Sequence, residues 1–140
     1  MIYTNPLRTW DLEEFRHRFK DHLNLNLKYG FGGSLLFTSA NDPFDPWSMA
    51  HLICNNSTEE PLIAVNPIYM HPFMIAWKVN SIMSLYNRGV SINWISGLSK
   101  SELIRLGDKL EKNERFERLK ECIEIVNLLF NSNSPVSFKG

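Results

Sequence analysis

The 140-residue sequence predicts an α/β fold of four βα units, (βα)4. Three observations carry that prediction. Short apolar runs of strand length, Leu62-Ile63-Ala64-Val65 the clearest, stand between stretches whose apolar residues recur at helical spacing. Capping signals open the helical stretches: Asp11 with Glu14, Asp45 before Pro46 and His71 before Pro72. No internal repeat or low-complexity segment interrupts the alternation. Near-continuous apolar strands between amphipathic helices imply a parallel sheet covered on both faces or curled into a barrel.

Ile2 to Thr4 reads as a frayed first strand. After Asp11, the residues Leu12, Phe15, Phe19, Leu23 and Leu27 recur at helical spacing until Gly30, so they form the expected buried face of the first helix. Ser34 to Thr38 is the second strand, followed by a polar loop through Phe44. The second helix runs from Pro46 through Met49, Leu52 and Ile53 to the stop at Asn55-Asn56, and Leu62 to Val65 is the third strand. Ile75, Val79, Ile82, Met83 and Tyr86 mark the third helix, which Asn87-Arg88-Gly89 ends. Val90 to Ile95 is the fourth strand. A short helical turn over residues 100–106 precedes a long amphipathic helix with Phe116, Leu119, Ile123, Val126 and Phe130 on one face.

Composition narrows the function classes. Fifteen basic and 15 acidic residues are scattered rather than blocked, which argues against a nucleic-acid or membrane-surface partner. The amino terminus has neither a basic start nor an apolar core, and no apolar run reaches the roughly 18 residues of a membrane span. A cytoplasmic protein is the expectation. Cys54 and Cys122 lie apart in apolar surroundings and read as buried structural thiols, with no metal site. No HExxH, P-loop or GxGxxG pattern is present.

In parallel α/β folds the chemistry sits beyond the carboxyl ends of the strands. Those ends are Asn5, Thr38, Asn66 and Asn93 to Ser96, all small hydrogen-bonding side chains. Such a set matches the donors and acceptors of a planar heterocycle, and it also suits ordinary turn and cap needs. His71 reads first as the cap before Pro72 and second as a proton-relay group, and Asp45 reads first as a helix cap and second as an acid/base group. His17, His22 and His51 read as surface or packing residues of helices.

The runs FDPWSMA, PLIAVNPIYMHPF, VSINWISG and LGDKLEKNERFERLKECIEIVNLLF resemble, in order and spacing, the amino-terminal part of luciferase-like, flavin-dependent monooxygenases. The likeness is strongest to the branch found in natural-product assembly-line pathways and covers nearly the whole chain. It implies that residues 1–140 are a single partial domain, the amino-terminal (βα)4 half of a TIM barrel, with reduced FMN as cofactor and dioxygen as co-substrate. It further implies that Asn66 faces the isoalloxazine ring while Pro67, Ile68 and Tyr69 shape the wall, and that Thr38 and Asn93 sit beside the ring. Ser96 and Gly97, after the fourth strand, complete the implied cofactor-binding set.

The chain departs from the family pattern at Leu98, where a second glycine is usual, in the lengths of the loops before Asp45 and over Ser57 to Pro61, and at Lys112-Asn113 in place of His-Asp. A full barrel needs about 250 residues. The expectation is therefore a half that needs a second half for activity, either a carboxyl-terminal barrel partner or another copy in a homo-oligomer, with a flavin reductase as a further partner. The alternative is a non-catalytic interaction subunit or decayed barrel half. In either case Leu35, Phe37, Ile63, Val65, Ile92 and Trp94 are expected to lack cover in a lone chain.

Overall fold

A computed structural model describes residues 2–6, 9–39 and 41–139. The elements follow in the order β1 (Tyr3–Thr4), α1 (Leu12–Tyr29), β2 (Gly33–Leu36), α2 (Pro46–Asn56), β3 (Leu62–Val65), α3 (Pro72–Tyr86), β4 (Ser91–Trp94), α4 (Lys100–Arg105) and α5 (Lys112–Asn131). The strands form a four-stranded sheet in the order β1-β2-β3-β4. Tyr3 pairs with Gly33 and Leu35 with Leu62, both in parallel register. Ser91 N donates to Pro61 O and Ile95 N to Val65 O, so β4 advances in the same sense as β3.

The helix starts are set by local chemistry. Asp11 accepts from Glu14 N at 2.9 Å. Asp45 accepts from the amides of Trp47 and Ser48 at 3.0 and 3.1 Å, and Pro46 occupies the first helical position, where no amide hydrogen is needed. Ser99 and Glu102 form a reciprocal capping box on α4. Gly30 ends α1 in the left-handed region, where its amide turns back to Asn26 O and Leu27 O.

The chain divides into two compact units, Met1–Ala64 with Ile82–Asn93, and Val65–Ser81 with Trp94–Gly140. The first unit buries Phe15, Phe19, Leu36, Met49, Ile53, Ile63 and Ile82. The Phe15 ring lies 4.4 Å from that of Phe44 and 5.5 Å from that of Phe19. Its tightest junction is the turn before β3. Gly33 opens β2 so close to this turn that a Cβ there would stand 2.0 Å from Glu60 O. Arg88 spans the same turn: Nη1 donates to Cys54 O and Ser57 O, and Nη2 donates to Glu59 O. Asn87, with φ 49°, ends α3 and precedes this guanidinium. The second unit buries Val65, Ile75, Val79, Leu119, Cys122 and Val126.

Several expectations are corrected. Leu27 is 77% exposed, and Leu12 is exposed too, while Asn26 is only 2% exposed. Asn26 lies two turns after Phe19 on the same helix face, and Leu27 is rotated about 100° further round. Phe116, Phe130 and Met83 are exposed rather than buried. Ile63 and Val65, expected to lack cover, are 0% and 3% exposed, whereas Phe37 is 44% exposed. Strand alternation accounts for this in the first unit: Ile63 pairs with buried Leu36, and the partly exposed Leu35 and Leu62 pair on the opposite face. β2 ends at Leu36, so Phe37 and Thr38 lie in the loop beyond it.

Candidate functional site

The sharpest polar feature of the second unit is the loop that follows β3. Asn66 stands directly after Val65 and is 2% exposed. Its Oδ1 accepts from Ile68 N at 3.1 Å, and its backbone carbonyl accepts from Tyr69 N at 3.1 Å. This Asx turn fixes the amide plane, because the side chain closes a ring with its own backbone two residues on. The two prolines, Pro67 and Pro72, restrict the backbone between Asn66 and α3. Asn66 Nδ2 is buried and has no hydrogen-bond partner among the described residues.

His71 does what its place before Pro72 suggested: Nδ1 accepts from Phe73 N at 3.2 Å, and the carbonyl accepts from Met74 N. The loop of residues 67–72 and the α5 side chains Arg118, Glu121, Cys122 and Ile125 enclose a cavity of about 400 Å³. Arg118 Nη2 donates to Asp108 Oδ2 at 2.6 Å. Burial of the Asp108 carboxyl works to raise its pKa, but hydrogen bonds from Arg118 and the Leu110 amide, with the charges of Arg118 and Arg115, outweigh it and hold the group below the usual carboxylate range. Burial alone pushes the Cys122 thiol up to about 11, so it stays protonated and unreactive at neutral pH. Burial also raises the Cys54 thiol, against the opposing charge of Arg88.

Of the residues named from the sequence, Asn66, Pro67, Tyr69, His71, Ser96 and Gly97 belong to the second unit, and Thr38 and Asn93 to the first. Thr38 is half-buried two residues past the end of β2, and Asn93 is half-buried inside β4. A Cβ at Gly97 would meet nothing within 4 Å, so the chain leaves open space beside it.

Sequence reasoning missed a second polar cluster, in the first unit. His22 and Asn26 on α1, Thr4 on β1, Ser34 on β2 and Glu59 before β3 are joined by hydrogen bonds. The signal was the spacing, since two polar residues four apart occupy the helix face that also carries Phe15 and Phe19. His51 is likewise no plain surface residue; its Nδ1 lies 3.2 Å from Tyr86 Oη. Among the described residues no three His, Cys, Asp or Glu side chains are placed to hold a metal ion, and no helix is long and apolar enough to cross a membrane.

Three comparisons bear on identity. The family described as luciferase-like monooxygenase matches residues 16–140. A curated relative, the 4-(gamma-L-glutamylamino)butanoyl-[BtrI acyl-carrier protein] monooxygenase BtrO of Niallia circulans, is 33% identical over 129 residues, which is 91% of this chain and 38% of that protein. Among solved structures, the EDTA monooxygenase EmoA from Chelativorans sp. BNC1 superposes with a TM-score of 0.72 at 19% identity, over 88% of this chain and 31% of that one. The chain thus spans less than two fifths of either protein, and its four parallel strands with their helices are part of a luciferase-like barrel. With the family match covering residues 16–140, this chain belongs to the luciferase-like monooxygenase family.

Proposed function

We propose that this chain, as one partial barrel domain over residues 1–140, supplies the Asn66 side of the cofactor site of a cytoplasmic FMN-dependent monooxygenase. The observation that carries the reading is the buried, unpartnered Asn66 Nδ2 at the carboxyl end of β3. A donor left in that state costs about 1–3 kcal/mol, and an acceptor on a bound ring would recover it. The residues fit such a group: a fixed amide donor, a wall of Pro67 and Tyr69, and Ser96 and Gly97 in the same unit. Thr38 and Asn93 are proposed as further cofactor contacts. Reduced FMN, when bound, supplies the electrons that activate dioxygen, and the protein's part is to orient it and exclude water. On this reading the phosphate is held by later barrel units, a carboxyl-terminal half or a second copy completes the site, and a flavin reductase supplies the reduced cofactor. The substrate class follows the curated relative, an acyl group presented on a carrier protein.

An anaerobic titration with reduced FMN, followed by amide NMR, tests the proposal. The expected result is weak binding that shifts the Asn66 side-chain amide and the Tyr69 and Ser96 backbone amides. Asn66→Leu should weaken binding about tenfold, the equivalent of one hydrogen bond, and should lower stability by about 1 kcal/mol, because the lost Asx-turn bond from Ile68 N is only partly offset by removal of an unpaired donor. A spectrum unmoved at millimolar FMN would overturn the reading and favour a non-catalytic interaction subunit.

Association is the second expected outcome. Phe37 is 44% exposed and Leu35 and Leu62 are half-buried on one face of the first unit, where a parallel sheet is normally covered. Sedimentation at low micromolar concentration should show self-association. A monomer that melts cooperatively would count against both a homo-oligomer and a need for a partner half.

A further inference from the structure

The geometry points to a second ligand site in the cavity between the loop of residues 67–72 and α5, one that takes an α-aminoacyl head: an ammonium group with an acceptor oxygen beside it. The site rests on its own side chains and not on the cofactor reading, with which it shares the Pro67 and Tyr69 wall. Arg118 and Glu121 lie three residues apart on α5, a spacing at which a guanidinium and a carboxylate share one side of a helix and ordinarily meet. Both line the cavity. They do not pair, because Arg118 is held elsewhere: Nη2 donates to Asp108 Oδ2 at 2.6 Å. The Asp108 side chain is only 2% exposed and is itself fixed, since Oδ1 accepts from Leu110 N at 3.1 Å. Among the described residues, Arg118 Nε is buried without a hydrogen-bond partner, and Glu121 has neither a hydrogen bond nor an ion pair.

These two side chains define the ligand. Asp108 already balances the charge of Arg118, so Nε and Nη1 need only an oxygen acceptor, either carboxylate or carbonyl. The half-buried Glu121 carboxylate is balanced by nothing, so it favours a cation over a neutral N–H. An α-amino acid supplies both within one small group, since its ammonium nitrogen is two bonds from its carboxyl carbon. The loop wall adds a further donor: His71 Nδ1 accepts from Phe73 N at 3.2 Å, so the ring carries its hydrogen on Nε2. Pro67, Ile68, Met70 and Ile125 line the rest and suit an apolar side chain. The volume of about 400 Å³ lies in the range of small-molecule sites.

Titration of the full chain with L-leucine, read by amide NMR without flavin, tests the site separately from the FMN titration. L-leucine at millimolar concentration should shift the Met70, His71, Glu121 and Cys122 amides and saturate. N-acetyl-L-leucine, which lacks the ammonium, should bind about tenfold more weakly or worse, and L-leucine should lose as much on Glu121→Gln. Glu121 has no partner to lose, so the variant should keep the native spectrum; if it does not fold, the acetylated ligand carries the same test on the native chain. L-leucinamide separates two sources of the same head. Binding equal to that of leucine marks a peptide amino terminus, and binding about tenfold weaker marks a free amino acid; either result supports the site. A spectrum unmoved by leucine, N-acetyl-L-leucine binding as tightly as leucine, or a folded Glu121→Gln that binds leucine undiminished overturns it.

Discussion

Gly33→Val should leave the chain unable to fold. A Cβ at this position would lie 2.0 Å from Glu60 O, 3.0 Å from Glu60 C and 3.3 Å from Glu60 N, all backbone atoms that no rotamer change can move aside. The backbone φ of 154° adds to the difficulty. Gly33 pairs with Tyr3 on one side, and the turn before β3 packs against it on the other, so relief would mean separating strands. The cost should exceed about 4 kcal/mol, a large share of the 5–15 kcal/mol that holds a typical domain together. Circular dichroism and chemical denaturation are the checks. A valine variant that melts within a few degrees of the native chain would show that β2 and the turn are not so closely apposed.

Arg88→Ala should destabilise the first unit by about 3 kcal/mol, from charge-assisted hydrogen bonds to three main-chain carbonyls and the loss of a cation at a helix end. The last turn of α2 contains no basic residue of its own, so Arg88 supplies from the end of α3 the positive charge that this carboxyl terminus lacks. Arg88→Lys should recover less than half of the loss, since one ammonium cannot fork across three acceptors. Denaturant midpoints of the three proteins would test this. Equal stability of the lysine and arginine forms would reduce Arg88 to a point charge.

What was legible in the sequence was what neighbours in the chain decide. Asp11 and Asp45-Pro46 announced helix starts that their own side chains complete within three residues. Leu62 to Val65 announced a strand by composition alone. The carboxyl end of that strand drew attention to Asn66, and the Asx turn it makes is equally local. That its Nδ2 would be left without a partner is not local, and it is visible only once the surrounding chain is folded. The same limit hid the role of His22. A histidine four residues before an asparagine is compatible with a wet helix face, and only Ser34 and Glu59, 12 and 37 positions on, turn the pair into a buried network. Arg88 was read as part of a helix stop, because nothing near it in sequence names the carbonyls of Cys54, Ser57 and Glu59.

The Asx turn at Asn66 also removes a freedom that most amide side chains keep. Rotating the amide by half a turn would bring Nδ2 against the Ile68 N–H, donor facing donor, at the 3.1 Å now bridged by Oδ1. The nitrogen is therefore presented in one sense only, like a keyed plug. A heterocycle edge that offers a lone pair can meet it, and an edge that carries hydrogen cannot.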